Sequence, residues 1–141
     1  MINFNELTKK KDNPLFQKYN VSGVYGIFID NELVYIGSSV HCMERFLQHK
    51  YKVLLKEEDR CVWHKDYIPL YQELRKAYTN NQNIDFDVLY YENGSKLRKL
   101  ERRLLSSNKP KLNVKPYWLY HFNVLNYKQI KECNALKKER K

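Results

Sequence analysis

Residues 23–39 read GVYGIFIDNELVYIGSS, and this stretch decides the fold. GVYGIFID and ELVYIGSS are β-branched and aromatic runs separated by Asp30, Asn31 and Glu32, residue types that close a tight hairpin. Two antiparallel strands are expected. With a three-residue loop of Asp30, Asn31 and Glu32 the pairing keeps an even register sum, which puts Tyr25 and Tyr35 on the same sheet face.

Downstream, Ser38 and Ser39 offer N-caps for a helix over about 40–55. Met43, Phe46, Leu47, Lys50 and Leu54 fall on one side of it, and His41, Cys42, Arg45, Gln48 and His49 on the other. Residues 56–66 are charged and irregular, after which Leu70, Leu74, Ala77 and Tyr78 form a second helical stripe starting near Pro69 and stopped by Asn80, Asn81 and Asn83. IDFDVLYY, from Ile84, alternates and then becomes fully apolar, so it reads as a third strand that is half buried at its start. Ser95 caps a third helix over about 96–107 with Leu97, Leu100, Leu104 and Leu105 as its stripe, limited by Pro110. Residues 1–20, with the Lys9–Lys11 run and Pro14, read as an N-terminal arm. Residues 117–141 read as a C-terminal extension, aromatic at Tyr117, Trp118, Tyr120 and Phe122 and then helical through Ile130, Cys133 and Leu136.

The 141 residues and 17.2 kDa suit one domain rather than an enzyme with a separate recognition module. At 43% hydrophobic and 30% charged there is apolar material for a core. Lys and Arg total 26 against 16 Asp and Glu, a net +10 that favours a polyanion: nucleic acid first, an anionic membrane surface second. Cys42, Cys61 and Cys133 are odd in number and no apolar leader opens the chain, so a reducing cytoplasm is the expected compartment. No apolar run is long enough to span a bilayer. Lys, Asn and Tyr are abundant, a bias that AT-rich codons produce and that hints at a phage or low-GC bacterial gene.

The most informative residue is Glu101, which falls on the Leu97, Leu100, Leu104, Leu105 stripe where an unpaired carboxylate is costly to bury. Either Arg98 pairs with it one turn back, or it ligates a hard cation beside a phosphate-binding surface. Around it lie eight basic residues between 95 and 116, among which Lys96, Lys99, Arg103, Lys109 and Lys111 are candidate DNA contacts. Arg45 and His49, one helical turn apart, can converge on one phosphate, although charged helix faces are ordinarily just solvated. His41, Cys42, Cys61 and His64 offer soft ligands, but adjacent His41 and Cys42 diverge on a helix and seldom chelate one zinc ion.

GVY at 23–25, YIG at 35–37, Ser38, Arg45 with His49, Glu101, and Asn113 in PKLN resemble the GIY-YIG nuclease family in order and spacing, with Val24 in place of the family's Ile. The resemblance covers roughly residues 21–114, most of the chain, and implies a nuclease domain over 21–116. It implies an α+β domain with a small three-stranded antiparallel sheet flanked by helices, and a DNA endonuclease assisted by one divalent cation, Mg²⁺ or Mn²⁺. Under it Tyr25 is the general base or the orienter of the attacking water, Tyr35 its partner, Arg45 the phosphate stabiliser, His49 an assistant to Tyr25 or the leaving oxygen, Glu101 the metal ligand, and Gly37, Ser38 and Asn113 supports. Physics asks much of Tyr25: lowering a phenol from about 10 to about 7 takes roughly 4 kcal/mol, which one cation about 4 Å away would supply. A homodimer would match the two-fold symmetry of duplex DNA. The rival reading is a non-catalytic nucleic-acid- or protein-binding module that retains the fold, drawn from the basic and aromatic tail.

Overall fold

The computed structural model describes residues 1–8, 13–60 and 68–113. In chain order these form β1 (Ile2–Asn3), α1 (Pro14–Tyr19), β2 (Gly23–Ile29), β3 (Glu32–Ser39), α2 (Cys42–Leu54), α3 (Pro69–Thr79), β4 (Ile84–Tyr91) and α4 (Gly94–Asn108), with short 3-10 turns at Phe4–Glu6 and Glu57–Asp59.

The hairpin closes on two residues, not three. Asp30 and Asn31 have φ of 48° and 67°, the paired left-handed geometry whose twist matches that of the strands it joins and that Asp and Asn tolerate. A two-residue turn alone would pair Tyr35 with Gly26 and turn the two phenols to opposite faces. A bulge prevents this: Phe28 pairs with Leu33 but Ile27 pairs with Tyr35, so Val34 is passed over. The Val34 carbonyl accepts instead from the Leu112 N–H at 2.9 Å. Beyond the bulge Tyr25 faces Gly37, and Tyr25 and Tyr35 share a face after all.

The sheet is antiparallel with four strands, not three, in the order β1-β4-β2-β3. The added strand comes from the segment expected to be an arm. Ile2 pairs with Phe86, and Asn3 with Asp85 through both backbone and a 3.2 Å side-chain bond. Two residues are too few to print an alternating pattern, yet Ile2, Phe4 and Leu7 all lie in the core. Residues 2–7 are bound into the domain.

One sheet face packs Tyr25, Ile27 and Phe86 against Met43 and Phe46 of α2 and Leu70 and Leu74 of α3. The other packs Val24 and Ile36 against Leu97, Leu100 and Leu104 of α4. Two details of these helices differ from expectation. The buried side of α2 is Cys42, Met43, Phe46, His49 and Val53, while Leu54 is exposed; the stripe is turned towards Cys42 and His49 because the imidazole finds partners inside the core, as described below. Neither helix is capped by the expected serine: β3 runs on through Ser39, α2 begins after His41, and α4 begins after Asn93. In β4 the start alternates as expected, with Ile84 and Phe86 buried and Asp85 and Asp87 between them less so, but the apolar end is exposed at Tyr90 and Tyr91, since β1 covers only the start of its outer edge. No helix among the described residues is long and apolar enough to cross a membrane.

Because Ile2 is completely buried over β4, Ile2→Ala should lower stability by about 2–5 kcal/mol in urea unfolding. A loss under about 0.5 kcal/mol would mean that β1 is peripheral.

Candidate active site

The centre of the site is a buried chain of three polar side chains from three elements. The Tyr25 hydroxyl, on β2, is hydrogen-bonded to His49 Nε2, on α2, at 2.7 Å, and His49 Nδ1 is hydrogen-bonded to the Tyr71 hydroxyl, on α3, at 3.0 Å. Tyr25 is 1% exposed, His49 1% and Tyr71 4%. Phe46 meets the Tyr25 ring edge-on at 5.2 Å, Phe86 stacks on His49 at 6.4 Å, and the Tyr35 ring lies 6.4 Å from Tyr25 and 6.0 Å from His49. Gly37 makes the arrangement possible: a Cβ there would stand 2.5 Å from both Cζ and Oη of Tyr25. Any side chain at 37 would displace the phenol.

Burial sets the electrostatics. It pushes the Tyr25 phenol well above its ordinary range, helped by Tyr35 and opposed by the Arg45 charge. Tyr35 is also raised, first by burial, then with Arg45 pulling it down and Glu101 pushing it up. Of the two cations that could lower Tyr25, Arg45 or a metal ion, the guanidinium is outweighed by desolvation. His49 is pushed down to about 3 by burial and by Arg45, so it is neutral. Arg45 is half-buried; burial acts against its charge, but the neighbouring phenols Tyr25, Tyr71 and Tyr35 leave its pKa raised. Arg45 Nη1 also donates to Gln48 Oε1 at 2.8 Å.

Ser38 and Glu101 form a second group. The Ser38 hydroxyl donates to Glu101 Oε2 at 2.5 Å, joining the end of β3 to α4. Ser38 pairs with Val24 and so alternates onto the α4 face, opposite Tyr25. The two groups meet around β3, where Glu101 acts on Tyr35. Glu101 is in none of the described ion pairs, so the expected alternative of an Arg98 partner is not what holds it. Asn113 bonds β3 twice, accepting from the Ile36 N–H at 2.7 Å and donating to the Ile36 carbonyl at 2.8 Å, as a neighbouring strand would.

No group of three or more His, Cys, Asp or Glu side chains is arranged for a metal among the described residues. The donor chemistry present, one half-buried carboxylate with a hydroxyl beside it, suits a hard cation that keeps most of its water and takes oxygen from a phosphate. It does not suit zinc: Cys42 is buried with its thiol pushed up to about 11 by desolvation, whereas the adjacent His41 is exposed. Cys61 and His64 lie outside the described residues, as do Lys115 and the aromatic extension 117–141.

The candidate DNA contacts Lys96, Lys99, Arg103, Lys109 and Lys111 are all exposed. Lys111 is paired with Glu32 at 3.3 Å across the hairpin turn, so its charge is partly met within the protein. Tyr71 is the residue that sequence reading missed. It belongs to the Pro69 helix and shares the apolar stripe with Leu74, and a buried tyrosine there needs a hydrogen-bond partner. The identity of that partner is a tertiary fact.

No protein-family model matches the chain, and no curated protein matches it. Among solved structures it is similar to a mutant of EndoII from bacteriophage T4, at 15% identity over 67% of this chain and 74% of that one, with a TM-score of 0.49.

The neutral His49 gives a pH signature. Between about pH 6.5 and about pH 3 the unfolded chain takes up a proton that the folded chain refuses, so stability falls as pH falls through that window, by up to about 1.4 kcal/mol per pH unit. Urea unfolding at about pH 7 and about pH 4.5 should show a smaller loss for His49→Gln than for wild type. Equal losses would contradict a buried neutral imidazole.

Proposed function

We propose that the chain is a metal-assisted endonuclease hydrolysing DNA phosphodiester bonds. The observation that carries this reading is the convergence of Tyr25, Tyr35, Arg45 and His49 on one sheet face, with a carboxylate fixed by Ser38 at the adjoining edge, in a chain of net charge +10. A structural core has no need to collect two phenols, an imidazole and a half-buried guanidinium around one point.

In this reading Arg45 receives the scissile phosphate through its planar fork and offsets the charge that develops on it. Tyr35, partly exposed, orients the attacking water at the rim. The proton leaving that water passes to the Tyr25 oxygen as the Tyr25 proton moves to His49 Nε2 along the 2.7 Å bond. Substrate binding favours this transfer: Arg45 is one of the two influences holding His49 neutral, and a phosphate paired with Arg45 cancels it. Glu101, with Ser38, would hold a single Mg²⁺ or Mn²⁺, which when bound supplies Lewis-acid stabilisation of the phosphoryl oxygens. Exposed Lys96, Lys99, Arg103 and Lys109 on and just after α4 supply sequence-independent attraction to the duplex backbone.

One observation favours a second reading, a nucleic-acid-binding module that does not cleave: the Tyr25 hydroxyl is buried, and burial raises its pKa. Incubation with supercoiled plasmid and Mg²⁺ separates the two. Wild type should convert the plasmid to relaxed or linear forms, and chelation should stop it. Glu101→Gln should lose cleavage by on the order of 100-fold or more while binding DNA equally or more tightly, since a negative charge near phosphate is removed. Full activity in Glu101→Gln would reject the metal-ligand role, and binding without cleavage by wild type would favour the second reading.

A further inference from the structure

Tyr71 stands outside the sequence pattern that drew attention to the site, in the first turn of α3. Its hydroxyl and that of Tyr25 bracket the His49 ring, one on each nitrogen. Proton counting fixes the direction of both bonds. A phenol carries one proton and a neutral imidazole carries one N–H. His49 is neutral, held so by burial and by Arg45. The Tyr25 hydroxyl is buried between His49 Nε2, at 2.7 Å, and the Arg45 guanidinium, which also hydrogen-bonds it. Arg45, its charged neighbour, has only donors to offer. The Tyr25 proton is therefore directed at Nε2, Nε2 is bare, and the ring proton sits on Nδ1, where the Tyr71 oxygen accepts it at 3.0 Å.

We infer that Tyr71 is a positioning residue: by accepting the Nδ1–H, its phenol oxygen holds His49 in the tautomer whose Nε2 is free to receive the Tyr25 proton. The functional sense of this rests on the nuclease reading above. In the other tautomer an Nε2–H would point at the Tyr25 oxygen, leaving the buried Tyr25 proton without an acceptor and closing the route for proton transfer. Which ring nitrogen carries the proton is set by the bond the other one makes. Tyr71 makes that bond from α3, whose Leu70 and Leu74 pack the same core, so Tyr71→Phe removes the oxygen and leaves the packing in place.

Two-bond proton–nitrogen NMR correlation on the full ¹⁵N-labelled chain reads the tautomer without substrate, with the His49 signals identified by their loss in His49→Gln. Wild type should show the Nδ1–H form alone. Tyr71→Phe should show the Nε2–H form appearing, and plasmid cleavage should lose roughly 10- to 100-fold in kcat with KM unchanged. An Nε2–H form in wild type overturns the inference whether or not the variant folds. So does an unchanged tautomer in Tyr71→Phe, or an unchanged kcat despite a shifted one. If wild type does not cleave at all, the nuclease reading falls while the tautomer result still decides what Tyr71 does to His49.

Discussion

The 2.7 Å bond between Tyr25 and His49 is the interaction on which the rest of the site depends. An imidazole and a phenol buried without partners would each cost on the order of 1–3 kcal/mol, so neither side chain belongs in this core unless the other is in place. Keeping them in place constrains the surroundings. Position 37 must lack a side chain, Phe46 and Phe86 must wall the rings, and the hairpin must carry a bulge so that Tyr35 arrives on the same face as Tyr25. The pair explains why α2 buries an imidazole side and exposes Leu54.

A second constraint comes from the exposed edge of β3. Residues 111–113 lie along it: Leu112 satisfies the bulged Val34 carbonyl, Asn113 pairs with both backbone groups of Ile36, and Lys111 reaches Glu32 at the turn. An open edge is thereby closed without a further strand. The same contacts tie the end of α4 to the strand that carries Tyr35, Gly37 and Ser38, and so fix where Glu101 stands relative to the phenols. The Ser38–Glu101 bond at 2.5 Å also ties α4 to this strand.

The hairpin, the strand at Ile84–Tyr91 and the Pro69 helix were legible because β-branched runs, a turn pair and helical periodicity are local signals. What escaped was non-local. The bulge at Val34 leaves no mark in composition, so the shared face of Tyr25 and Tyr35 was expected from a loop of the wrong length. β1 is too short to alternate and exists because β4 offers it an edge. Ser38 looks like a helix cap and is taken instead by Glu101, and His49 looks like a solvated polar residue until Tyr25 and Tyr71 satisfy both its nitrogens. Of the site, the sequence displayed the residue types; their division between the two faces of the sheet and the presence of Tyr71 were tertiary outcomes.

In the proposed reaction the phenol–imidazole cluster on one side of β3 and the Glu101 carboxylate on the other serve one phosphate. A crystal structure of the chain with Mn²⁺ and a short DNA duplex tests it most directly. Anomalous density is expected beside the Glu101 carboxylate, with a backbone phosphate that contacts both that ion and the Arg45 guanidinium. Mn²⁺ bound away from Glu101, or a duplex seated with no phosphate at Arg45, would contradict it.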